Sequence, residues 1–289
     1  MVTLMSDPWP GPAEYEFLRQ LVYEHSRISL GADNKEMVGR RLQLRLKSIG
    51  LASYQEYCEF LKSSEGSNEL AYMLDVVLTD PARFFDEKQH FKFLATTALP
   101  LWLRAQDRHA EDLFRVWSAG CGSGEEPYSA AIVLADFFAR HSKFQAEVFA
   151  SDISARALER AREGIYRLEQ VELPEVEWLK RYFLKGIGAY QGSCRVKEDI
   201  KKMVTFRHAD LFQPESPAAE SVDVIFCRNV LSCFDQDSQE ELVQLLSAKL
   251  HPAGYLFLGH SERLPKVPHV FTAVSPGIYR EAASFLAFV

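Results

Sequence analysis

Cysteine is scarce and scattered: Cys58, Cys121, Cys194, Cys227 and Cys233 are odd in number and form no C-x-x-C pair. That pattern offers neither a disulfide framework nor a zinc site, and it suits a reducing cytoplasm. No apolar run approaches the roughly 18 residues of a membrane span. The opening MVTLMSDPWPGP lacks the basic region and apolar stretch of a secretion signal, so no direct membrane insertion is expected. Positive charge is short as well, with a formal net charge of −7. Backbone binding to nucleic acid needs a basic surface, so no nucleic-acid partner is expected, although a local basic patch can still meet an acidic protein. Internal repeats, low-complexity tracts and any evident Ser-His-Asp or metal constellation are missing too.

What remains is an ordinary globular composition, 47% hydrophobic and 25% charged, enough for one large domain or two modest ones. The first hundred residues carry helical periodicity. Phe17, Leu18, Leu21 and Val22 share a face within 14–25, as do Met37, Val38, Leu42, Leu46 and Ile49 within 35–49. Gly50 then supplies a stop, Ser53 is placed to cap a third helix, and a fourth runs from about Asn68 to Val77 before Pro81.

From residue 115 the period changes. Strands are expected at RVWSA (115–119), EVFASD (147–152), MVTFRHAD (203–210), VDVIFC (222–227) and from Tyr255. Helices are expected at 127–140, 154–163 and 237–250, and a closing hairpin at 270–280. Strands alternating with helices imply a parallel, doubly wound sheet. Residues 176–202 break this rhythm with three closely spaced glycines and fit a small antiparallel insertion.

In such a sheet a ligand sits at the carboxyl ends of the strands. After the first strand comes Gly120-Cys121-Gly122-Ser123-Gly124-Glu125-Glu126-Pro127. Pro127 suits a first helical position, which puts Glu125 and Glu126 at a helix start. A dinucleotide would place its pyrophosphate there, and two glutamates would repel it. S-adenosylmethionine carries an ammonium and a sulfonium, and both tolerate carboxylates. The spacing is also GxGxG, not the dinucleotide GxGxxG. Asp152 ends the second strand, either as a helix cap or as an acceptor for ribose hydroxyls. Asp210 follows the third as a turn residue or an adenine contact, and Asn229 follows the fourth as a cap or a crevice residue. His260 lines the crevice or serves the structure. Arg40, Arg41, Arg45 and Lys47 make one helix basic, either as a solvated face or as a steering patch.

The blocks RVWSAGCGSGEEPYSAAIVLAD, ASDISARALERAREGIY, FCRNVLSCFDQDSQEEL and LHPAGYLFLGHSE resemble consecutive blocks of the CheR chemotaxis receptor methyltransferases. RRLQLRLKSIGLASYQEYCEFL and RFFDEKQHF are similar to that family's helical domain and interdomain segment. The resemblance runs from about residue 14 to 280. It implies a Rossmann-like α/β methyltransferase domain at 96–289 with a small antiparallel β-subdomain inserted at about 176–205. A helical, receptor-facing N-terminal domain and linker would occupy 1–95.

As cofactor the resemblance implies S-adenosyl-L-methionine, leaving S-adenosyl-L-homocysteine. Its contacts would come from the glycine loop (Gly120, Gly122), Glu125 or Glu126, Asp152, Asp210, Leu211, Asn229 and Val230. Asp80, Ala82 and Asp86 complete the implied cofactor site, standing where the family reads the Asn, Thr and Arg that help hold the cofactor, and Cys233 stands where it reads tyrosine. The implied activity is methylation of glutamate side chains of methyl-accepting chemotaxis receptors, in chemosensory adaptation. Arg40, Arg41, Arg45 and Lys47 would face the receptor's cytoplasmic domain, and the β-subdomain its C-terminal peptide. A glutamate carboxylate is already ionised at neutral pH, so proximity and exclusion of water suffice without a general base. The departures at Asp80, Ala82, Asp86 and Cys233 set a catalytically silent S-adenosylmethionine-binding or receptor-docking relative as the alternative.

Overall fold

The computed structural model describes residues 9–78, 82–105, 113–141, 144–213, 221–265 and 271–281. The chain divides into two units, Met1–Asp80 with Cys233–Asp235, and Pro81–Ser232 with Gln236–Val289.

The first unit holds α1 (Pro12–Ser26), α2 (Lys35–Ser48), α3 (Tyr54–Lys62) and α4 (Ser67–Leu78). Proline occupies the first position of α1, where its missing N–H costs nothing. Gly50, in the left-handed region at φ 77, follows α2. The Ser53 hydroxyl accepts from Glu56 N–H at 3.2 Å and caps α3, as the sequence suggests. The apolar stripes meet in a core of Leu18, Val22, Val38, Leu42, Leu46, Tyr57, Met73 and Val77. Cys233–Asp235 join this unit: the Cys233 carbonyl accepts from Ser29 N–H at 2.7 Å, and Tyr23 Oη donates to Asp235 at 2.8 Å.

The second unit opens with α5 (Lys88–Phe93) and α6 (Leu99–Arg104), joined through a π-helical turn at Leu94–Ala98. Then follow β1 (Leu113–Ala119), α7 (Glu125–Phe138), β2 (Gln145–Asp152), α8 (Ala155–Glu163) and β3 (Ile165–Arg167). Next are α9 (Val176–Tyr182), β4 (Phe183–Lys185), β5 (Ser193–Val196), α10 (Glu198–Lys201), β6 (Val204–His208) and β7 (Val222–Cys227). The unit ends with α11 (Gln236–Lys249), β8 (Leu250–Leu258), β9 (Phe271–Ser275) and β10 (Ile278–Glu281).

Among the described residues seven strands form one sheet in the order β6-β2-β1-β7-β8-β10-β9. Pairs from β6 to β8 are parallel, and the β9–β10 hairpin adds antiparallel strands at one edge. The chain therefore moves one way from β1 to β2 and returns to the other side of β1 with β7. The switch point lies between the carboxyl ends of β1 and β7, where doubly wound sheets bind ligands. β7, nearly all of it buried, reads as the continuous apolar run expected of a strand covered on both faces. Among the described residues no helix is long and apolar enough to cross a membrane.

Two expectations need correction. Strand β8 begins at Leu250, so Pro252–Gly254 lies within it and does not separate helix from strand. The ladder shifts register between Val222 and Val224, and that irregularity accommodates the Pro252 region. The inserted sheet, expected at about 176–205, begins earlier. Its order is β3-β5-β4, both pairs antiparallel, and β3 starts at Ile165. Residues 176–182 are the helix α9, not strand. Three-residue strands show too little alternation to be read from sequence, and β3 follows directly on Gly164, the left-handed cap of α8.

Candidate active site

The glycine loop after β1 turns sharply because Gly120, Gly122 and Gly124 all hold positive φ, at 75°, 53° and 98°. Two are also sterically committed. A Cβ on Gly120 would meet Val230 Cγ2, and one on Gly124 would lie 2.8 Å from Ala161 Cβ and 2.9 Å from Tyr166 Oη. Beside Gly122 nothing lies within 4 Å of where a Cβ would be, so the loop is open there to a ligand.

Asp152 draws the loop to β2. Its Oδ2 accepts from Gly122 N–H at 2.7 Å and its Oδ1 from Ser154 N–H at 2.8 Å, while the Ser151 carbonyl takes both Gly120 and Cys121 N–H. The carboxylate is thus fixed at the strand end and half-buried. Ala209 N–H donates to the Asp152 carbonyl at 3.1 Å, which sets Asp210 alongside. Asp210 Oδ1 accepts from Phe212 N–H and holds its own turn, with Leu211 buried behind it. At the end of β7, Asn229 takes a left-handed conformation (φ 58) and Val230 packs over Gly120. Gly120, Gly122, Asp152, Asp210, Leu211, Asn229 and Val230 therefore converge at the ends of β1, β2, β6 and β7.

The two loop glutamates diverge. Glu125 is buried and accepts from Ser123 Oγ at 2.8 Å. Glu126 accepts from Ser118 Oγ at 2.7 Å and from Arg228 Nη1 at 3.1 Å. Burial raises both carboxyls above their ordinary range; Arg228 opposes that rise at Glu126, and the Ser123 hydroxyl opposes it at Glu125.

Arg228, which sequence reasoning passed over, organises the neighbouring charges. Besides Glu126 it reaches Glu87 Oε2 and Asp86 Oδ2, each at 3.3 Å. One nearly buried guanidinium thus faces three carboxylates, and the cluster keeps a negative excess that suits a cationic ligand. Asp86 sits between Phe85 (φ 55) and Glu87 (φ 53), two non-glycine residues in the left-handed region. Each such residue costs about 1–3 kcal/mol and persists only where its surroundings enforce it. Here Ser129 Oγ accepts from Phe85 N–H, and Glu87 Oε1 accepts from His260 N–H at 2.6 Å. The side chain of His260 is itself exposed. Arg83 pairs with Glu172 at 3.3 Å, so Asp86 finds its cation in Arg228 instead. Ala82 is half-buried next to Arg83, and Asp80 lies outside the described residues.

Glu262 was also missed, although the GHSE block contains it. The carboxylate is buried and accepts three backbone N–H groups: Gly259 at 2.7 Å, Asn229 at 2.8 Å and Ser232 at 2.9 Å. Gly259 makes room for it, since a Cβ there would lie 2.9 Å from Glu262 Oε2. Glu262 thereby fixes the Asn229–Ser232 turn.

On α2 the basic residues separate. Arg45 forms a two-pronged pair with Glu69 (Nη2–Oε2 2.6 Å, Nε–Oε1 3.0 Å), and Glu69 also accepts from Tyr57 Oη. Arg41 donates to the Val77 carbonyl at 2.6 Å. Arg40 and Lys47 are exposed and flank Leu44, itself 75% exposed, at helical spacing.

These features fit S-adenosylmethionine. The loop is open at Gly122, an acidic side chain is fixed at the end of β2, and the surrounding charge favours a cation over a pyrophosphate. Comparison with known proteins agrees. The family model for the CheR methyltransferase SAM binding domain matches residues 80–279, and that for the CheR methyltransferase all-alpha domain matches 13–78. A chemotaxis protein methyltransferase of Salmonella typhimurium is 36% identical over 92% of this chain and 89% of its own length. That of Escherichia coli is 36% identical over 92% and 90%, and chemotaxis protein methyltransferase 2 of Pseudomonas aeruginosa 35% over 93% of each. The chain belongs to the CheR methyltransferase family and is an S-adenosylmethionine-dependent methyltransferase.

Proposed function

We propose that this protein methylates glutamate side chains in the cytoplasmic part of methyl-accepting chemotaxis receptors, with S-adenosylmethionine lying on the Gly120–Gly124 loop. The observation that carries the reading is the convergence of Gly122, Asp152, Asp210 and Asn229–Val230 at the sheet's switch point, in a chain of this family. When bound, S-adenosylmethionine supplies an electrophilic methyl group. That methyl would pass to a glutamate oxygen while the electron pair of the carbon–sulfur bond stayed on sulfur, so that a neutral ester and a neutral thioether would result. The protein's part is to hold the two in line. Asp152 would take the ribose hydroxyls and the Asn229–Val230 turn would close over the cofactor. No general base is required.

Arg40, Leu44 and Lys47 offer a basic, partly apolar stripe suited to an acidic receptor helix. Arg41 and Arg45 brace α2 against α4 and support that stripe from behind. The edge strand β4, with its exposed Leu184 and the exposed Ile187 and Tyr190 that follow it, suits a receptor C-terminal peptide added as a further strand. No observation favours the silent alternative, since Asp86 is accommodated by Arg228.

The test is transfer of labelled methyl from S-adenosylmethionine to a receptor cytoplasmic fragment, with release of labelled methanol by base as the signature of an ester. The Asp152→Ala variant should lose about 10- to 100-fold in cofactor affinity, as expected for removing charge-assisted hydrogen bonds. Transfer that persists after the receptor's glutamates are replaced by glutamine would refute the assigned acceptor.

A further inference from the structure

The small sheet β3-β5-β4 does more than present an edge. Tyr166, the middle residue of β3, is buried although its neighbours Ile165 and Arg167 are exposed. Its hydroxyl donates to the Ser123 carbonyl at 2.7 Å, in the centre of the glycine loop. Its ring stands edge-on to Phe84 at 4.8 Å, and Phe84 stands edge-on to Phe183 of β4 at 5.3 Å. Gly124 is cut to fit, because its left-handed φ of 98° and the 2.9 Å approach of Tyr166 Oη to its missing Cβ both exclude a side chain. Burial pushes the tyrosine well above its ordinary range, so it stays a donor at any working pH. Three elements therefore grip one short loop: β2 through Asp152 on Gly122 N–H, α7 through Glu125 on Ser123 Oγ, and the inserted sheet through Tyr166 on Ser123 C=O.

We infer that Tyr166 is a positioning residue for the cofactor: its hydroxyl, carried on the inserted sheet, locks the Ser123–Gly124 peptide in the orientation that receives S-adenosylmethionine. The inference rests on the reading that the cofactor lies on this loop. Without the hydroxyl the half-buried Ser123 carbonyl loses its donor, and the peptide, flanked by two flexible glycines, keeps only the bond from Gly124 N–H to the Cys121 carbonyl at 3.1 Å. S-adenosylmethionine and S-adenosylhomocysteine differ only by the methyl and its charge, so both should weaken by the same factor.

The experiment compares Tyr166→Phe with Tyr182→Phe. The second variant removes another buried hydroxyl of the insertion, one that donates to Asp136 at 3.3 Å, away from the loop. Calorimetric titration should show Tyr166→Phe binding both ligands about three- to tenfold more weakly, the range for one neutral hydrogen bond, with Tyr182→Phe unchanged. Ser123–Gly124 is the one Ser-Gly step in the chain, so carbonyl-¹³C serine with ¹⁵N glycine gives a single carbonyl–amide resonance. That resonance should move in Tyr166→Phe and stay in Tyr182→Phe. Parental affinity in Tyr166→Phe, or equal weakening in the two variants, overturns the inference while Asp152→Ala still weakens binding. If Asp152→Ala leaves affinity intact, the loop is not the cofactor site and both readings fall.

Discussion

Replacing Glu262 by glutamine changes almost no volume but removes a charge that three backbone N–H groups converge on. With its carbonyl oxygen in the Oε2 position, glutamine keeps Asn229 and Gly259 as donors, though to a neutral acceptor. Its amide nitrogen then confronts Ser232 N–H, donor against donor. Hydrogen bonds to a charged group are worth about 1.5–3 kcal/mol and neutral ones about 0.5–1.5 kcal/mol, and a buried donor left alone costs about 1–3 kcal/mol. Relief from burying a charge offsets part of this, leaving a net loss of about 2–4 kcal/mol. For a unit of this size that corresponds to roughly 5–15 °C in Tm. The local effect should exceed the global one, because Asn229 is held in a left-handed conformation by these bonds and Val230 closes over Gly120. Scanning calorimetry and cofactor titration on the same sample check both. We expect the lowered Tm together with a rise of about tenfold in the Kd for S-adenosylmethionine. A variant melting within about 1 °C of the parent with unchanged Kd would show that the turn is held by something other than Glu262.

The separation of basic residues on α2 predicts opposite behaviour for two substitutions. Arg45→Met should destabilise by about 3–5 kcal/mol, since it strands the buried Glu69, measurable by urea unfolding. Arg40→Glu with Lys47→Glu should leave stability nearly unchanged but slow methyl transfer to a receptor fragment and weaken its dependence on salt. His90 makes a pH prediction. It is fully buried, and desolvation together with Arg228 pushes its pKa down to about 4. The unfolded chain takes up this proton near pH 6.5 and the folded protein only near 4, so His90 removes stability as pH falls through that window. Above pH 6.5 the penalty is absent; by pH 4 it amounts to roughly 2–4 kcal/mol. His90→Leu should flatten the slope of stability against pH between 6.5 and 4, and an unchanged slope would refute the assignment.

Most of the order of elements, and the crevice at the switch point, were legible along the chain. Period-3.6 stripes marked the four N-terminal helices, a continuous apolar run marked β7, and the GxGxG turn with Asp152 marked the crevice, because each signal is local and repeats the geometry of its element. Even the bias against a dinucleotide was legible in Glu125 and Glu126. Where the charges point depends on the three-dimensional packing. Arg40 and Arg45 look alike along the chain, yet one faces solvent and the other a buried glutamate 24 residues away. Arg228 gathers carboxylates from residues 86, 87 and 126, Glu262 reaches back to Asn229, and Tyr166 reaches Ser123 from a strand too short to read. Periodicity records which face of an element is apolar. It carries no record of which distant donor a buried acceptor will find, because that pairing is fixed only when the sheet order and the insertion bring the two groups within 3 Å or so of each other.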